Sequence, residues 1–345
     1  MIKRKTVFVV GAGASCEVGL PTGQELRSKI AEALNILFPD GYQQQSGSRL
    51  ICQAIQQYCQ QSGLRDINPF LKAGWTIRDA APLALSIDNF IDAHREDKKI
   101  EMCGKLAIAE TILHAERRCK LFYDRHDSDV LRQSKLSGTW YPKLVQLLTE
   151  GVDKSNCRKV FENVVFIIFN YDRCIEHYLN EAMRTYYALE KVEANELIGQ
   201  GVFIHPYGTV GQLDWQARDG ISFGAEVGSS RLLDISNRLR TFTEQVADEA
   251  ALHGMTAAIE SADRLVFLGF AFHEQNMELL KASPSHRARQ VFATALGMSK
   301  SDCEAVTSEI CNLYHSNQTQ IKTEIGNDMK CVDLFDQFWR SLRSA

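Results

Sequence analysis

No stretch of this chain is strongly apolar for more than the six residues 164–169, far short of the ~20 that a membrane-spanning helix needs. Nor is there a block of Lys and Arg. Thirty-nine basic residues face 43 acidic ones, a formal net charge of −4, which argues against a dedicated nucleic-acid binder. Cysteine is plentiful at ten residues, yet no Cys-x-x-Cys pair occurs, so the paired thiolates of a zinc ribbon are missing. Cys174/His177 and Cys311/His315 stand one helical turn apart and offer at most half a site each. Buried thiols in a reducing cytoplasm, and no metal, are the expectation. There is no G-x-x-x-x-G-K-[ST] loop, which excludes ATP hydrolysis of that type. The opening Met1-Ile-Lys-Arg-Lys before Val7-Phe8-Val9-Val10 imitates a signal peptide, with Cys16 as a lipid-anchor site. Its apolar core is too short for the usual ~7–15 residues, and a buried strand explains it better. A soluble, cytoplasmic protein is expected.

What is present is a chain of 345 residues, 45% hydrophobic, longer than one domain of ~100–200 residues. Residues 6–10 form a β-rich run ending in Gly11, suited to a central parallel strand. From Thr22 to Leu37 the apolar residues keep helical spacing, with Thr22 placed as cap and Glu25 three residues on. Between residues 50 and 148 no strand-like run occurs and helical period dominates. Strand signals return at 164–169, 202–204, 265–268 and 291–294, each followed by room for a helical crossover. The fold expected is α/β, a Rossmann-like doubly wound parallel sheet with a large helical insertion and a helical C-terminal tail. The core would occupy 1–40 and 145–298, the insertion 41–144 and the tail 299–345. In that tail Val332, Phe335, Phe338, Trp339 and Leu342 share one helical face.

Gly11-Ala12-Gly13-Ala14-Ser15 sits where the first strand meets a helix, where small residues let backbone amides approach a phosphate. It is not the G-x-G-x-x-G fingerprint, because Cys16 holds the third glycine position. Together with Gly19-Leu20-Pro21-Thr22-Gly23 it resembles the opening of the sirtuin-like, NAD-binding family. Three further motifs follow in family order, each closing a strand: Asn170-Tyr171-Asp172, His205-Pro206-Tyr207-Gly208 and Gly269-Phe270-Ala271-Phe272. The likeness spans residues 7 to about 276. Two departures stand out. The four-cysteine zinc ribbon of sirtuin deacylases is absent, and a helical insertion replaces it, similar to bacterial antiphage-defence proteins that degrade NAD. The segment Ser86-Ile87-Asp88-Asn89-Phe90-Ile91-Asp92 also resembles that subgroup. At the His-Gly step Tyr207 holds the family histidine's place and His205 lies two residues earlier. Positions two apart on a strand face one side, so both residues stand as heirs to that role.

The resemblance implies an NAD glycohydrolase that uses NAD as substrate and no metal. Splitting nicotinamide from NAD proceeds through an oxocarbenium-like ribose. The leaving group is already cationic and departs neutral, so the site must position a water and take a proton. Asn170 would hold the water and ribose hydroxyls. His205 is the first choice for the base, Tyr207 would orient the ribose, and Asp172 would steady the loop or bond the ribose. Gly11, Ala12, Gly13 and Ser15 would line the pyrophosphate, with Thr22 also on the cofactor side and Gly269 and Phe270 near the adenosine half. His273 with Glu274, and Asp88 with Asp92, are lesser candidates, better explained by a helix start and a solvated helix face. Unchecked NAD loss is toxic, so a separate sensor or regulatory subunit, or an oligomer, is expected to hold the enzyme silent. The rival reading is a non-catalytic NAD or ADP-ribose sensor, favoured by Tyr207. A Rossmann dehydrogenase ranks last, because Glu32 falls inside the first helix rather than after a second strand.

Overall fold

The computed structural model describes residues 1–124, 130–246, 249–281, 290–313 and 321–344. In chain order the elements begin with β1 (Thr6–Val10), α1 (Ala12–Cys16), α2 (Gly23–Leu34), α3 (Arg49–Gln61), α4 (Asn68–Ala80), α5 (Ile87–Ala93) and α6 (Lys98–Arg118). Then follow α7 (Trp140–Thr149), β2 (Val164–Ile168), α8 (Cys174–Tyr186), α9 (Lys191–Ile198), β3 (Val202–Ile204), α10 (Ser229–Ser236), α11 (Phe242–Val246) and α12 (Glu249–Ser261). The chain closes with β4 (Arg264–Leu268), α13 (Glu274–Leu279), β5 (Gln290–Thr294), α14 (Lys300–Leu313), β6 (Lys322–Gly326) and α15 (Cys331–Arg343).

Two compact units result. The first takes Met1–Gly19, Cys119–Pro206 and Val246–Ala345, and the second takes Leu20–Arg118 and Tyr207–Gln245. These bounds differ from the sequence division. The helix α2, read as core, joins the second unit. The helix α7, which begins within the expected insertion, belongs to the first, because the Trp140 indole is fully buried and donates to Ala14 O at 2.8 Å. Residues 207–245 return to the second unit, where α10 packs on α3 and α6.

The first unit is built on six strands in the order β3-β2-β1-β4-β5-β6, every pair parallel. This is the Rossmann-like doubly wound order, in which the chain winds outward from β1 in both directions. The run Val7–Val10 is wholly buried because β1 is flanked by strands on both edges and helices cover the sheet. In register across β1, β2 and β3 lie Phe8, Phe166 and Phe203, with ring centroids 5.3 and 5.2 Å apart. Phe335 of α15 stacks on Phe8 of this row and on Trp140 of α7. The C-terminal segment is not only helical. It contributes β6, which pairs with β5 and was invisible because Lys-Thr-Glu-Ile-Gly carries a single large apolar residue. On α15 the buried residues are Cys331, Leu334, Phe335 and Leu342, whereas Val332, Phe338 and Trp339 are half-buried.

Two charged groups fasten α15. Glu17 accepts from the Trp140 amide at 2.8 Å and the Val332 amide at 3.0 Å, so one carboxylate serves the N-terminal turns of α7 and α15. Burial raises its pKa even so. At the other end Arg264, fully buried, donates to Leu342 O at 2.7 Å, Ser341 O at 2.6 Å and Gln290 Oε1 at 3.0 Å. Its pKa falls to about 10 through burial. Arg264→Met should therefore cost about 3–5 kcal/mol, since it strands several buried acceptors at once. A urea titration that moved by less than about 1 kcal/mol would contradict that account.

The second unit packs around α6. Ile100, Leu106, Ile108, Ile112 and Leu113 are buried together with Lys105 and Glu116, so the helix is enclosed on most sides. Its buried charges are partnered: Lys105 Nζ bonds Glu101 and Glu244, each at 2.8 Å, and Glu116 accepts from the Gly224 amide at 3.2 Å. The helix α2 begins as its sequence indicates, with Thr22 Oγ1 accepting from Glu25 N at 3.1 Å and Glu25 accepting from Thr22 N at 2.8 Å. No helix among the described residues is long and apolar enough to cross a membrane.

Candidate functional site

Because every strand of the first unit runs the same way, the segments following β1, β2, β3 and β4 emerge along one edge of the sheet. The order reverses between β1 and β4, and ligands of doubly wound sheets sit outside the carboxyl ends of the strands at such a point. The glycine loop after β1, Asn170 and Asp172 after β2, His205 after β3 and Gly269 after β4 all lie on that edge.

The first and fourth of these segments cross with backbone on backbone. Gly11 N donates to Leu268 O at 2.9 Å and Gly13 N to Gly269 O at 3.0 Å. A Cβ on Gly269 would lie 2.0 Å from Ala14 N, and φ of Gly269 is +55°. The glycines thus serve the crossing itself, and two loop amides are committed to it. Phe272, also at φ +55°, is a strained non-glycine residue in the same turn. Phe270 is buried against Phe169, Phe267 and Phe272 at centroid distances of 5.1–5.6 Å.

Between β1 and β2 stands a buried polar set. Asn170 Nδ2 donates to Gly11 O and to Ser15 Oγ, both at 3.1 Å. A carbonyl only accepts, which fixes the orientation of the Asn170 amide. Ser15 Oγ donates to Asp172 Oδ2 at 3.0 Å, and Asp172 Oδ1 accepts from Cys174 N at 3.1 Å, steadying the start of α8. Asn170, Asp172 and Ser15 are 6%, 4% and 2% exposed. Tyr141, fully buried beside Asp172, Cys174 and Ser15, has its phenol pKa driven well above 10 by burial.

His205 extends this set to β3. Its Nδ1 lies 3.2 Å from Asn170 O and its Nε2 2.6 Å from Glu176 Oε1. Burial alone would lower the imidazole pKa. The Glu176 carboxylate and the Asn170 carbonyl, with Asp172 further off, outweigh it and raise the value above the ordinary one. Glu176 was missed by motif reading, since an acidic residue in a helix's first turn is ordinary. Its burial at 4% exposure is what sets it apart. A raised folded-state value means that the pair's stabilisation is present in full below the unfolded pKa of about 6.5. It is lost as pH rises through the raised value. Urea midpoints compared at pH 6 and pH 9 should fall for the native chain by more than for His205→Ala.

Tyr207 and Thr22 belong to the second unit. The strand β3 ends at Ile204 and Pro206 opens a turn, so strand alternation does not continue to Tyr207. Tyr207 is buried, and its phenol pKa is raised by burial and then by Asp88 and Asp92. The next residue, Gly208, has φ +73° and passes close to Arg238 O. Thr22 spends its side chain on the cap of α2. Asp92 accepts from Thr243, and Ser86 caps α5 through Asn89 N at 3.0 Å. In the first unit Ala12 opens α1, and His273 stands at the N-cap of α13 before Glu274. His177 bonds Leu121 O at 3.2 Å within the core, the ten cysteines are thiols rather than disulfides, and His315 lies outside the described residues. Among the described residues no cluster of three or more His, Cys, Asp or Glu is arranged to hold a metal ion. No protein-family model matches the chain, and a search of curated proteins finds no significant relative.

Proposed function

We propose that the chain is an NAD glycohydrolase that cleaves the nicotinamide–ribose bond to yield nicotinamide and ADP-ribose. A doubly wound sheet hosts many chemistries, so the side chains must carry the choice. The observation that supports this one is the hydrogen-bonded set of Ser15, Asn170, Asp172 and His205, drawn from the ends of β1, β2 and β3, of which β1 borders the switch in strand order.

In this reading the bond from the ribose anomeric carbon to the pyridinium nitrogen breaks and its electron pair neutralises the departing nicotinamide. A water oxygen bonds the anomeric carbon and sheds one proton to His205. Both Asn170 amide protons are committed to Gly11 O and Ser15 Oγ. Its Oδ1 is the atom that orients the water or a ribose hydroxyl. With the Gly11 and Gly13 amides spent on the crossing and the Ser15 hydroxyl on Asp172, it is Ala12 that would offer its amide to the pyrophosphate in this reading, with Gly269 and Phe270 toward the adenosine half. The proposal extends to a bacterial antiphage effector held silent by a regulatory partner or by assembly state. Full-rate turnover by the isolated chain would contradict that extension.

The test is nicotinamide release from NAD, followed by chromatography, for the native chain and for Asn170→Ala, each alone and with the neighbouring gene's product. The variant should lose at least a hundredfold in rate. Its thermal midpoint should fall only by the few degrees that two lost hydrogen bonds imply, about 1–3 kcal/mol. A second reading, a nucleotide sensor without turnover, is favoured by one observation: both ring nitrogens of His205 are already engaged. Saturable ADP-ribose binding with no nicotinamide released would establish it.

A further inference from the structure

Which protons His205 carries follows from its partners. Asn170 O can only accept, so Nδ1 bears a hydrogen whatever the pH below imidazolate formation. Proton exchange is thereby confined to Nε2, the atom that faces Glu176 Oε1 at 2.6 Å. This inverts the usual carboxylate–imidazole arrangement, in which the carboxylate takes the Nδ1 hydrogen and leaves Nε2 to the substrate. Glu176 is 96% buried by the complement of its 4% exposure, and its second oxygen, Oε2, has no hydrogen-bond partner among the described residues. A carboxylate this buried, with one oxygen on an imidazole and the other unsatisfied, is costly unless the imidazole is charged. The charged groups facing His205 are Glu176 from α8 and Asp172 from the loop before it.

We propose that Glu176 is the positioning residue of this site: with Asn170 O it fixes the ring so that Nε2 is the only proton-accepting atom, and it holds the accepted proton in the Nε2–Oε1 hydrogen bond. The inference rests on the hydrolytic reading above. In that reaction the attacking water takes the place of Oε1 at Nε2 and sheds its proton there, the resulting Nε2–H returns to Oε1, and the C–N electron pair leaves with nicotinamide. No further reactant is needed. Glu176 acts through His205 and raises the driving force for proton capture. The rate should climb with pH as Nε2 gives up its resting proton and becomes able to take another.

The experiment is a ¹³C/¹⁵N-histidine NMR titration of the full chain, read beside the pH dependence of kcat/KM for NAD, in the native protein, Glu176→Gln and Glu176→Asp. The native ring should titrate above about 6.5 and, once neutral, carry its hydrogen on Nδ1. In Glu176→Gln the midpoint should fall by about one pH unit or more, a tenfold change in proton affinity. The acid limb of kcat/KM should move down by the same amount. Glu176→Asp should recover part of both shifts, and it decides the matter if the Gln variant does not fold. An unmoved His205 midpoint in whichever variant folds overturns the inference. A midpoint that falls while the acid limb stays put overturns the catalytic role alone, with the hydrolytic reading intact. No cleavage by the native chain, alone or with its partner, overturns that reading and the inference with it, even with the midpoint shift observed.

Discussion

Gly269→Ala is expected to destabilise the first unit by more than about 4 kcal/mol, enough to prevent folding of a marginally stable chain. Two penalties coincide. At φ +55° any Cβ is strained, and here that Cβ would lie 2.0 Å from Ala14 N and 2.3 Å from Gly13 C. Both are backbone atoms, fixed by β1 and by the Gly13 N to Gly269 O hydrogen bond of 3.0 Å. No side-chain rearrangement relieves the overlap, so β4 must separate from the glycine loop. Gly254→Ala supplies a control of opposite sign. Gly254 lies within α12 and a Cβ there meets nothing within 4 Å. Alanine should therefore stabilise by about 0.5–1 kcal/mol through helix propensity and lower unfolded-state entropy. Urea midpoints for the two variants should move in opposite directions. A Gly269→Ala protein of native stability would show that the two loops do not cross as described.

His205→Ala should lower kcat for NAD cleavage by about 10²–10⁴-fold while changing KM little, the signature of a group that acts in the transition state. The imidazole is anchored to Asn170 O on one side and Glu176 on the other, and so it is preorganised within the same set that holds Ser15 and Asp172. Removal also leaves Glu176 buried with both oxygens unpaired, which costs stability and must be separated from the kinetic effect. His205→Gln, which returns a hydrogen bond to one partner without supplying a base, should regain stability and no activity. Recovery of turnover in His205→Gln would assign the imidazole a purely structural part.

The inner strands β1, β2, β4 and β5 were legible because they are buried on both faces. Runs such as residues 164–169, between Asn163 and Asn170, then read as unbroken apolar stretches bounded by polar residues. The edge strand β6 was not, because an edge strand needs only half-burial and Lys322, Thr323 and Glu324 satisfy that without an apolar signal. The second unit's composition was hidden for a different reason: residues 207–245 join helices separated from them by a hundred residues, through contacts such as Ser229 Oγ to Gln57 Oε1 at 2.7 Å. Within the site, motif position marked Asn170, Asp172 and His205. Glu176 escaped, since its distinction is burial beside an imidazole, a property of the fold. The same holds for Gly11 and Gly13, whose spacing suggested a phosphate cradle and whose geometry adds a backbone crossing that demands glycine on its own account.

The central claim is that this strand edge breaks the nicotinamide–ribose bond. The most direct measurement is ¹H NMR of NAD during incubation with the native chain, alone and with its regulatory partner candidate. The account predicts that resonances of free nicotinamide and ADP-ribose rise together in equal amounts, and that Asn170→Ala leaves the NAD spectrum unchanged. An unchanged NAD spectrum with the native chain in both mixtures, or equal product formation by Asn170→Ala, would contradict it.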